Sequence, residues 1–126
     1  MTHAKCPFCG VAADRIVLEN SVGIVLKDAF PVSRGHTLVV PRQHVESLFD
    51  LPPADQVALW QLVTEARQQL VSELAPDGFN IGVNDGRAAG QTVAHAHIHI
   101  IPRRAGDAAD PRGGIRWVLP DQARYW

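Results

Sequence analysis

Three histidines at every second position constrain this chain more than any other feature in it. The run from Gly90 to Arg103, GQTVAHAHIHIIPR, sets His95, His97 and His99 in alternation with Ala96, Ile98 and Ile100. Neighbouring residues of a strand project to opposite faces, so the spacing predicts three imidazoles about 6.6 Å apart along one face and an apolar row on the other. A lone strand histidine is commonly a core residue satisfied by hydrogen bonds. Three in step place side by side groups that titrate near neutrality and can serve as nucleophile, proton donor or metal ligand. Spacing alone does not choose among these, because His-x-His on a strand also holds zinc in hydrolytic enzymes.

With 126 residues, 46% of them apolar, the chain has enough material for one core, and a single domain over 1–126 is expected. Its net charge of −1, histidines neutral, gives no global reason to expect a nucleic-acid or membrane partner, so an anion must be met by local groups. Several arginines, among them Arg42, Arg87, Arg103 and Arg112, fall in turn-like stretches. No run approaches the roughly 18 apolar residues that span a bilayer, and MTHAKCPFCG lacks the pattern of a secretory signal, so a cytoplasmic protein is expected. Reduced, metal-binding thiols then suit Cys6 and Cys9 better than a disulfide. The segment 1–12 reads as a knuckle in which Pro7 and Gly10 bend two thiolates toward one ion. A redox pair and two inert thiols are the other readings of a lone CxxC, which in any case supplies only half of a four-ligand zinc set.

Arg15 to Asn20 and Val22 to Lys27 predict a hairpin turning at Asn20-Ser21. A loop through Phe30-Pro31 and a turn at Arg34-Gly35 lead to a third strand, His36 to Val40. A short helical turn is expected from His44 to Phe49, then a long helix from Pro53 to about Leu74 with Leu59, Val63, Ala66, Leu70 and Leu74 on its apolar face and Trp60 packed. Ala75-Pro76-Asp77-Gly78 stops the helix, Phe79 to Val83 forms a strand, and the glycines of the Asn84 to Gly90 loop allow close approach of an anion. The stretch 104–126 carries Trp117, Tyr125 and Trp126, and is expected to pack on the body or on a partner chain.

The sequence His95-Ala-His97-Ile-His99-Ile-Ile resembles the signature of the histidine triad (HIT) family, His-φ-His-φ-His-φ-φ with φ apolar, and the likeness continues through DAFPVSRGHTLVVPRQH, NIGVNDGRAAGQ and the RAGD at Arg104 to Asp107. That resemblance implies an α+β fold, with an antiparallel sheet of about five strands, one long helix and one short, continued across a homodimer. It implies cleavage at the α-phosphate of adenosine nucleotides through a nucleotidyl-histidine intermediate, the RAGD being most like the branch that acts on dinucleoside polyphosphates. An adenosine phosphoramidase of the same family, or a nucleotide-binding partner protein with little turnover, is the alternative. By the same resemblance His97 is the nucleophile, His99 hydrogen-bonds the phosphate or leaving group, and His36 supports them. Asp28 faces the ribose, Phe30 helps wall the purine, and Asn84, Gly90, Gln91 and Thr92 hold ribose or phosphate. Zinc-bearing members imply a structural Zn²⁺ on Cys6, Cys9, His44 and His95, and Mg²⁺ would accompany a polyphosphate substrate.

Overall fold

Short apolar runs separated by glycine, proline and asparagine fold into five strands in the computed structural model, which describes residues 5–126; the first four residues of the expected 1–12 knuckle lie outside them. The strands are β1 (Ile16–Glu19), β2 (Gly23–Lys27), β3 (Thr37–Pro41), β4 (Gly78–Val83) and β5 (Ile98–Arg103). They form one antiparallel sheet in the order β1-β2-β3-β5-β4. The Asn20 side chain makes the first hairpin by accepting the amides of Val22 and Gly23, both at 2.9 Å.

A 22-residue helix, α1 (Pro53–Leu74), covers one face of the sheet. Its first residue is a proline, where the missing N–H costs nothing, and it ends where Ala75 takes a left-handed conformation (φ 46°) ahead of Pro76. Leu59, Val63, Ala66 and Leu70 are buried as the periodicity predicts, and Leu62 joins them, while Leu74 is only partly buried. These side chains pack on Val25, Val39, Ile98 and Ile100. Removing one fully buried leucine from such a cluster costs about 2–5 kcal/mol. On the opposite face Ile24, Leu26, Leu38 and Val40 pack with Phe8, Val11 and Ile16. β2 and β3 are therefore buried on both sides, which explains why they read as continuous apolar runs.

Three local expectations are corrected. The histidine strand begins only at Ile98, so His95 and His97 lie in its irregular approach. The turn expected over His44 to Phe49 is a 3-10 turn at Leu48–Asp50, started where the Ser47 hydroxyl accepts the Phe49 amide. Trp60, expected to pack, is 44% exposed. The C-terminal stretch does fold, as a 3-10 turn (Gly114–Val118) and α2 (Pro120–Ala123). It is bound together by the Trp117 indole N–H on the Arg112 carbonyl, by Arg116 on the carbonyls of Gln122 and Ala123, and by Arg112 over the Trp126 ring.

Candidate functional site

Although His95 and His97 precede the strand, the two-residue alternation survives, because the Ala96 amide is held by the Val45 carbonyl at 2.7 Å and Ala96, Ile98 and Ile100 all enter the helix-side core. The histidines consequently face away from α1, but into two different environments.

His95 is fully buried. Its Nε2–H donates to the Pro41 carbonyl at 2.8 Å, which leaves the Nδ1 lone pair facing Cys6, Cys9 and His44. From His95 Nδ1 the distances are 3.4 Å to Cys6 Sγ, 3.6 Å to Cys9 Sγ and 3.2 Å to His44 Nδ1, and Cys9 Sγ lies 3.2 Å from His44 Nδ1. Ligand atoms about 2.0–2.3 Å from one tetrahedral zinc stand about 3.3–3.8 Å apart, so the quartet has the dimensions of a tetrahedral site. Two thiols and two imidazoles are the donor set zinc favours, and the carbonyl behind His95 fixes the tautomer that can coordinate. The four residues named from the sequence are brought together.

His97 uses the same device in the opposite sense. Its Nδ1–H donates to the His95 carbonyl at 2.9 Å. A carbonyl only accepts, so the lone pair sits on Nε2, and His97 lines an open cleft of about 370 Å³. The tautomers of its neighbours follow by the same logic. The Val32 amide donates to His36 Nδ1 at 3.1 Å, so His36 carries its hydrogen on Nε2 and gives it to His99 Nδ1 at 2.9 Å. His99 is left with its hydrogen on Nε2. Burial, reinforced by the neighbouring His97 and His36, pushes His99 down to about 4, so it is neutral at physiological pH. Burial lowers His36 as well, against the opposing pull of Asp28 at 3.4 Å.

Asp28, Phe30, Asn84, Gly90 and Thr92 all line this cleft with His36, His97 and His99. Asp28 also accepts the Phe30 amide at 2.8 Å, and Phe30 itself is 87% exposed, a ring available at the cleft mouth. Gln91 departs from its expected place: its carboxamide is nearly buried, donates to the carbonyls of Glu46 and Val93, and accepts the Gly86 amide. The side chain is spent on holding the glycine loop, which leaves Thr92 on the cleft wall. The donor atoms of His95, His97 and His99 do not converge on one point among the described residues: His95 belongs to the cysteine group, and His99 falls with Asp28 and His36. A metal held by all three histidines therefore does not fit.

Several cleft residues were not legible beforehand. Phe8, between the two cysteines, lies with its ring centroid 5.0 Å from that of His97 and 5.8 Å from that of His95. Arg15 and Lys27 bring positive charge to the rim, and Val32 closes the far side. The only advance signal for Phe8 was its place inside the CxxC.

The family profile for the HIT domain matches residues 10–106. The adenylylsulfatase HINT3 of Arabidopsis thaliana is 35% identical over 106 residues, 81% of this chain and 54% of that protein. The asymmetrical bis(5'-nucleosyl)-tetraphosphatase of Schizosaccharomyces pombe is 40% identical over 80 residues, 64% of this chain and 44% of that one. A Zn-bound histidine triad family protein from Mycobacterium smegmatis superposes with a TM-score of 0.69 at 38% identity, over 75% of this chain and 69% of the other.

Proposed function

The chain belongs to the histidine triad family, and from that premise we propose that it is a nucleotide hydrolase or nucleotidyl transferase acting at the α-phosphate of adenosine nucleotides through a covalent intermediate on His97. The observation that carries this reading is the 2.9 Å bond from His97 Nδ1–H to the His95 carbonyl. It orients the ring and, in the neutral imidazole, puts the lone pair on Nε2, a nucleophile that brings no negative charge toward an anionic phosphorus. Attack forms an Nε2–P bond, and the bond from phosphorus to the leaving group breaks. Water then displaces His97 and releases a nucleoside monophosphate.

His36 and His99 form a relay that keeps the His99 Nε2–H available to an oxygen of the reacting group. Arg15, Lys27 and the amides around Gly90 and Thr92 offset phosphate charge, which supplies the electrostatic part of the rate. Asp28 is suited to the ribose hydroxyls and Phe30 to the base. Names of relatives, an adenylylsulfatase and a dinucleoside tetraphosphatase, support hydrolysis at a nucleotide phosphate without choosing the leaving group. Cys6, Cys9, His44 and His95 would hold zinc as a structural cross-link, since all four positions of the ion are taken by protein and no site stays open for chemistry.

We place the protein in the cytoplasm as a homodimer; among the described residues no helix is long and apolar enough to cross a membrane, and β4 pairs on one side only, leaving an edge for a second copy. The test is rapid quenching with adenine-labelled substrate. The reading expects a nucleotidyl adduct that maps to His97 and is missing in His97→Gly; the same adduct in that variant overturns it.

A further inference from the structure

The strands beneath the cleft set out the parts of a bound nucleotide in order. His97 and His99 stand just before and on β5, Asp28 follows β2, and Arg15 directly precedes β1. Register puts Ile16, Leu26, Leu38 and His99 in one row across the sheet. Arg15 therefore adjoins a residue three strands out from His99, about 14 Å away at the usual spacing of neighbouring strands. With phosphorus at His97 and ribose at Asp28, the nucleotide lies across the strands. Its base then points outward, to the end of the cleft where Arg15 is among the lining residues.

Nothing in the chain occupies that guanidinium. Arg15 is exposed, and among the described residues its side chain has no hydrogen bond, ion pair or ring contact. Lys27, by contrast, reaches back to Thr37 Oγ1 at 3.4 Å. At this distance the charge of Arg15 acts on the phosphate only through the field of the cleft, whereas its N–H groups need a nearer acceptor. The surrounding walls at this end, Pro7, Phe8, Leu26 and Phe30, are apolar. Asp28 is the single carboxylate of the lining, and it is turned to the Phe30 amide and His36. The base end thus presents side-chain donors and no side-chain acceptor.

An arginine only donates, and a purine shows it one of two faces at position 6. The carbonyl oxygen of a 6-oxopurine accepts from the guanidinium, and N7 beside it is a second acceptor. The amino group of adenine sets N–H against N–H, so both groups give up water without replacing it. Resting on the nucleotidyl-transfer reading above, which leaves the choice between purines unargued, we propose that Arg15 reads position 6 of the base. The cleft that admits adenine then takes a 6-oxopurine nucleotide, carrying hypoxanthine or guanine, in preference.

Calorimetric titration of the full chain with AMP, IMP and GMP tests this. A nucleoside monophosphate is the product whatever group leaves, so the identity of the leaving group does not enter. IMP and GMP are each expected to bind about fivefold more tightly than AMP. In Arg15→Met, which keeps an unbranched stem and removes the guanidinium, the three affinities are expected to converge, each ratio being internal to the variant. If IMP or GMP binds no more tightly than AMP, or if the preference persists in Arg15→Met, the base assignment is overturned and the hydrolase reading stands. Binding of none of the three overturns both.

Discussion

His95 and His97 are two residues apart, each is pinned through one ring nitrogen to a backbone carbonyl, and they do opposite things. The Nε2 of His95 is held by Pro41, so its lone pair emerges at Nδ1 among two thiols and a second imidazole, with no solvent contact. Nδ1 of His97 is held by His95, so its lone pair emerges at Nε2 on an open cleft. Residue type fixes neither role. What decides is which nitrogen the backbone claims and whether the other faces soft ligands or a cavity. Between them stands Phe8, on the knuckle but against the His97 ring, so the closed site supplies a wall of the open one.

Substitutions that separate the two histidines test this contrast most severely. His97→Gly should lower turnover by about four orders of magnitude or more, with no adduct and little change in Tm, since it removes the proposed nucleophile and leaves the quartet whole. His95→Ala should do the reverse, losing metal and stability. Cys6→Ser is the milder break on that side: metal analysis should find the bound ion depleted and Tm lower by on the order of 10 °C or more, with turnover reduced within about tenfold. Should Cys6→Ser abolish the adduct while Tm holds, the division between structural and catalytic halves is wrong. Phe8→Ala probes the link between them. With metal content unchanged, kcat should fall by about three- to tenfold through loosening of the His97 ring, a loss that a purely structural aromatic would express in Tm instead.

The smallest effect concerns protons. His99 is lowered to about 4 in the folded chain against about 6.5 unfolded. Between those values the unfolded state binds the extra proton, so folding stability is intact above pH 6.5 and declines as pH falls toward 4. Measured on Cys6→Ser, so that acid release of a metal does not contribute, the decline should be about 1–2 kcal/mol, less than the full shift implies because the ring is partly open to solvent. His99→Asn should flatten it.

Much of this arrangement was visible in the sequence, for identifiable reasons. Alternation of His97, Ile98, His99 and Ile100 is a local property and fixes which side chains share a face even where the strand has not yet begun. Proline at Pro53 and the break expected at about Leu74 marked the span that α1 occupies. Contributions made by loops folding back were not legible. Phe8 reaches the His97 ring and Ile115 the space beside His99 from segments remote in the chain, and Val32 bonds through its amide to His36 from the loop before β3; nothing in the neighbourhoods of Phe8 and Ile115 encodes those meetings. Gln91 misled because a carboxamide serves a phosphate or a loop equally well, and only the carbonyls of Glu46 and Val93 decide.

Cys6 and His95 lie 89 positions apart in the chain. With an ion bound between them the amino-terminal end is locked into a very long covalent-like ring, and peeling it from the sheet requires ligand exchange first. Fraying of a chain end is ordinarily among the fastest openings a fold undergoes. Here its clock would be set by the residence time of an ion, and Phe8 would leave the His97 ring no more often than the metal lets go.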